Sequence, residues 1–167
     1  GLVSVVITAV LNDLSRSSDD EDYHDQLVMS FTEPAVDLTE YDLGSNPGSD
    51  EQEIIYVFAP DPYAHYNPYI STTVDEYKDG ALAAAIAYGF EVLVSYNQKV
   101  FEYDGEPEDY WLNATLGAMA AEMTGFGSVF YDDAWDYLDA PHLYPLTIEE
   151  EEEGVISLES KGAQYLF

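Results

Sequence analysis

A chain of 167 residues is long enough for one domain with a real core and short for two. Hydrophobic residues make up 47%, while 34 acids face four bases (Arg16, Lys78, Lys99 and Lys161), for a formal charge of −30. That balance argues against direct binding of nucleic acid, which needs clustered Lys and Arg, and against an anionic membrane surface. The lack of cysteine removes disulfides, thiol catalysis and thiolate metal sites.

Residues 2–15 carry Val3, Val6, Val10 and Leu14 at helical spacing, so a helix is expected, although "SVVITAV" is β-rich. The apolar start is too short to span a bilayer and lacks the positive region of a signal peptide. Residues 16–25 read as an acidic linker. "QLVMSF" (26–31) is expected as a strand, 42–53 as a long loop, and "EIIYVFA" (53–59) as a buried strand. Prolines break 60–72 into a second long loop. Thr73-Val74-Asp75-Glu76 has the T-x-x-E spacing of a capping box, opening a helix that Gly89 is expected to stop. "FEVLVSY" and "KVFEYD" read as a hairpin around Asn97-Gln98. "PEDYWLNATLGAMAAEMTGF" reads as a helix with a Leu112, Leu116, Met119 and Met123 stripe, ended by Gly125. "GSVFYD" (127–132) is expected as a strand and "DAWDYLD" as a helical turn. An acidic connector (149–154) and terminal strands in "GVISLES" and "AQYLF" follow. The predicted fold class is α+β: a single domain, 1–167, with a mainly antiparallel sheet, two to three packed helices and long Pro/Gly-rich loops.

No catalytic motif is present. Asp75, Tyr77, Asp79 and Gly80 imitate the start of an EF-hand loop, but Ile86 stands where a bidentate Glu is required. Five adjacent glutamates, Glu149 to Glu153, do not converge on one ion and read as a solvated connector. Asp132, Asp133 and Asp136 are the weak candidates for a divalent cation. No cofactor is expected, beyond non-specific K⁺ or Na⁺ and weak Ca²⁺ or Mg²⁺. His24 has no second nitrogen ligand at metal spacing, and a triad built on His24, His65 or His142 would have to be assembled by the fold, since its members need not be near in sequence.

Tyrosine is abundant, with 15 residues, and joins an apolar face to a polar tip, which suits interfaces. Tyr63, Tyr66, Tyr69 and Tyr144, lying among prolines outside any periodic segment, are the expected contact residues. The favoured expectation is a non-enzymatic structural or assembly protein adapted to high salt, a virion or filament component of a halophilic system. Its partners would be copies of itself or other structural subunits, and its place a virion, an extracellular particle or the cytoplasm of a high-salt cell. One alternative is an acidic DNA-mimic inhibitor whose partner is a basic nucleic-acid-binding protein. A second is a divalent-cation-binding secreted domain.

Overall fold

The computed structural model describes residues 2–11, 30–38, 40, 42–65, 72–144, 162–163 and 165–166. Three strands from well-separated stretches form one sheet in the order β1-β3-β2: β1 (Val3–Thr8), β2 (Ser30–Phe31) and β3 (Glu53–Phe58). β3 takes the centre because it is the continuous apolar run. Its Ile54, Ile55, Val57 and Phe58 are all buried, as a strand covered on both faces requires. β1 lies parallel to β3 with Val3 beside Glu53 and Thr8 beside Phe58, whereas β2 runs antiparallel to it.

The α+β class and the single compact domain hold, but the sheet is mixed and its longer pairing is parallel. The helix expected at the start is also corrected. Val3, Val6 and Val10 do fit a helical period, yet the β-branched run "VSVVIT" pairs with β3 along its whole length. Stiff β-branched side chains suit a pleated, half-covered surface better than a helix. Of "QLVMSF", only Ser30 and Phe31 are described, and they are strand.

After β2 comes one helical turn, α1 (Pro34–Asp37), with Pro34 in its first turn. The 42–52 loop has no strand or helix, but Asp42 ties it: its Oδ1 accepts from the Gly44 and Ser45 amides at 2.9 and 2.8 Å. α2 (Val74–Glu76) starts at the capping box read from the sequence. The Glu76 amide donates to Thr73 Oγ1 at 3.2 Å, and the Thr73 amide donates to the Glu76 carboxylate at 2.8 Å. A wide π turn (Tyr77–Ala81), kinked at Gly80 with φ 134°, leads into α3 (Leu82–Tyr96), and a second π segment (Asn97–Glu102) extends it. α4 (Tyr110–Met123) follows and stops just before Gly125, at φ 88°. A 3₁₀ turn (Gly127–Phe130) then enters α5 (Tyr131–Asp139).

Four sequence expectations fail here. Gly89 does not end a helix, and the hairpin predicted over 90–104 is replaced by the second half of α3 and its π extension. Gly89 is small for a different reason: a Cβ there would come within 2.6 Å of Ile55 Cγ2 on the central strand. "GSVFYD" is a 3₁₀ turn running into α5, and the described part of "AQYLF" is helical.

α3 and α4 pack antiparallel. Gly80 lies beside Phe126, Tyr88 covers Gly117, and Lys99 meets Glu108, a steady pairing along both axes. The contact face of α4 is made of small residues, with Ala114, Gly117, Ala118 and Ala121 buried. This corrects the predicted stripe, whose Met119 and Met123 face solvent. Between α3 and the sheet sits the core: Leu11, Ile55, Val57, Phe58, Tyr77, Ala85 and Leu93. The Phe58 and Tyr77 rings meet edge to face at 5.1 Å.

Candidate functional site

The tyrosine-rich loop is organised from its base. Asp61 O accepts from the Ala64 and Thr72 amides at 3.2 Å each, and Asp61 Oδ1 accepts from the His65 amide at 2.9 Å. With both ends of the loop held, Tyr63 projects outward at 79% exposure, its ring 5.7 Å from that of His65. Tyr144 is half-buried beyond α5. Tyr66 and Tyr69 lie outside the described residues, as do Glu149 to Glu153 and His24. Asp132 and Asp136 are exposed on α5 and Asp133 is half-buried. Among the described residues no three His, Asp or Glu side chains converge as a metal site would require.

Sequence reasoning missed a polar feature between α3 and α4. Glu91, set among Phe90, Val92, Leu93 and Val94, has a buried Oε2 without a donor. Burial pushes its carboxyl up to about 7, and the charge of Glu108 adds to the rise. Asn113 Oδ1 on α4 is also buried without a donor. The helix pairing (Tyr88 on Gly117, Lys99 on Glu108) puts Glu91 and Asn113 at nearly the same level. Two acceptor oxygens without donors in one contact layer favour the protonated acid, which carries a hydrogen to share. The signal in the sequence was one acid inside an otherwise apolar run.

The same logic recurs at α1. Asp37 is buried with Oδ2 unpartnered, and its carboxyl is raised by burial first and by Asp50 and Glu33 second. Against these uncompensated acids, the described residues contain a single ion pair, Lys99 Nζ to Glu108 Oε2 at 2.7 Å.

The remaining feature is apolar surface. Val5, Val6 and Ile7 of β1 are exposed, as are Met119 and Met123 on α4 and Trp135 and Leu138 on α5. These apolar side chains face solvent on several elements of a chain that carries a formal charge of −30.

No protein-family model matches the chain, and no curated protein or solved structure is significantly similar to it.

Proposed function

We propose that the protein is a non-enzymatic structural subunit of a salt-adapted assembly, of the virion or filament kind, which contacts copies of itself or other structural subunits. The observation that carries this reading is the pairing of exposed apolar side chains with a formal charge of −30, in which 34 acids face only four bases. In dilute buffer such copies repel, and the domain repels itself. In molar salt the Debye length shrinks to roughly 3 Å, so carboxylates a helical turn apart hardly interact while apolar contact remains available. Tyr63, exposed in the turn that Asp61 closes on the His65 amide, would be one such contact point.

Sedimentation velocity in 20 mM and in 3 M KCl tests the reading. Monomer at low salt and concentration-dependent association at high salt support it. A monomer under both conditions overturns it, and competition with duplex DNA for a cationic enzyme groove then examines the mimic alternative.

A further inference from the structure

The exposed strand β1 has a specific geometry. Thr8 O accepts from the Ala59 amide at 3.0 Å, so the backbone groups of Thr8 point toward β3. Backbone groups alternate sides along a strand, so those of Ser4 and Val6 also point inward and those of Val3, Val5 and Ile7 point to the outer edge. No strand among the described residues lies on that edge. The strand carries no charge, no proline and no bulge, the usual devices that protect an edge. On the helix-bearing face, Val5 and Ile7 stand in register with buried Ile55 and Val57. α3 nevertheless packs over β3 and β2, leaving Ile7 56% exposed.

An open backbone edge beside an uncovered apolar shelf is completed by another extended strand. Charge decides whose. A basic partner would be drawn to the carboxylate-bearing surfaces, not to this uncharged strip, whereas two copies at −30 each can approach best where neither carries a carboxylate. Resting on the assembly reading above, we infer that β1 pairs antiparallel with β1 of a second copy, around a two-fold axis at Val5, to make a continuous six-stranded sheet.

The register follows from the edge. Only Val3, Val5 and Ile7 offer outward N–H and C=O groups, and a perpendicular two-fold keeps both helix layers on one side. Val5 therefore faces Val5 of the second copy, and Val3 faces its Ile7, each pair exchanging both backbone bonds. This arrangement also separates the nearest β3 carboxylates. Glu53 beside Val3 would sit roughly 20 Å from its symmetry mate, beyond two Debye lengths at physiological salt. A parallel, in-register pairing would bring the two Glu53 residues to roughly 14 Å.

The absence of native cysteine makes the test clean. Directly opposed residues in a hydrogen-bonded antiparallel pair have Cα atoms ~5.5 Å apart, inside the disulfide range. On mild oxidation in 3 M KCl, Val5→Cys is expected to form covalent dimers in high yield. Ile7→Cys alone and Val3→Cys alone are expected to stay largely monomeric, whereas an equal mixture of the two cross-links. Ile7→Lys weakens association in sedimentation at least tenfold, while Gln98→Lys, an equal charge change at an exposed polar residue of the second π segment, leaves it as in wild type. Circular dichroism confirms the fold of each variant.

If wild type assembles, but Val5→Cys stays monomeric and Ile7→Lys assembles normally, the β1 inference is wrong and the assembly reading stands. If wild type does not assemble at any salt, both fall. Loss of thermal stability in Ile7→Lys without loss of association would show that a segment of the same chain covers the edge, and would also overturn the inference.

Discussion

Replacing Glu91 by Gln should stabilise the protein, and only above a defined pH. In the unfolded chain this carboxyl titrates near 4.5; in the fold it is pushed up to about 7, by burial first and Glu108 second. Below pH 4.5 the acid is protonated in both states and costs nothing. Between 4.5 and 7 the unfolded chain releases a proton that the folded one keeps, so stability falls as pH rises, and above 7 the penalty is complete. At 1.36 kcal/mol per pH unit the full penalty would be about 3 kcal/mol. The carboxyl is only partly removed from water, and solvent screening lowers the figure to about 1.5 kcal/mol. Gln has the same shape, no charge, and an N–H₂ that can serve the donor-free Asn113 Oδ1. Glu91→Gln should therefore match wild type at pH 4.5 and exceed it by about 1.5 kcal/mol at pH 8, or about 3–6 °C in midpoint for a chain of this size. Urea unfolding in 3 M KCl reads this difference, because salt screens Glu108 but not the burial cost. A difference independent of pH, or a Gln variant less stable than wild type at pH 8, would refute the reasoning.

Gly89→Ala should lower stability by about 2 kcal/mol, since the overpacking cost against Ile55 outweighs the gain of about 1 kcal/mol in helix propensity; thermal unfolding measures it, and an unchanged or raised midpoint contradicts the close α3–β3 approach. Lys99→Met removes the one described ion pair and leaves Glu108 beside Glu91, so it should cost up to about 1 kcal/mol at low salt. That loss should vanish in 3 M KCl; a loss that persists there would assign the role of Lys99 to packing. Thr73→Val should lower the thermal midpoint while Thr73→Ser retains it, because the hydroxyl oxygen accepts from the Glu76 amide; equal effects from both would deny the cap.

What could be read from the sequence were the elements whose signals are local. β3 is a dense apolar run, α4 a long segment ended by a glycine, and α2 opens on a side-chain cap whose partners are three residues apart. The misread elements were decided by distant neighbours. Val3 to Thr8 became a strand because β3 lies alongside, 50 residues further along in register. Gly89 reads as a stop only until Ile55 is placed against it. "FEVLVSY" alternates like a strand yet stays helical, because α3 must cover the sheet with one side and meet α4 with another. The face of α4 was misjudged for a related reason: close helix packing selected small residues such as Gly117 under Tyr88, and the larger methionines were left outside.

The candidate sites divide in the same way. Tyr63 was expected as a contact residue from its place among prolines; the fold leaves it exposed, and its contact role belongs to the proposed assembly. Glu91 became visible only when α3 and α4 were set side by side, since burial is a property of the pair. The β1 edge was hidden by the helical reading of residues 2–15.

The thermal midpoint of the purified protein from 20 mM to 3 M KCl, with a glycerol control for general solvent effects, tests salt adaptation most directly. A midpoint that climbs by tens of degrees with KCl, from a poorly folded state at 20 mM, is the predicted result. A protein fully folded at 20 mM and indifferent to KCl would contradict it.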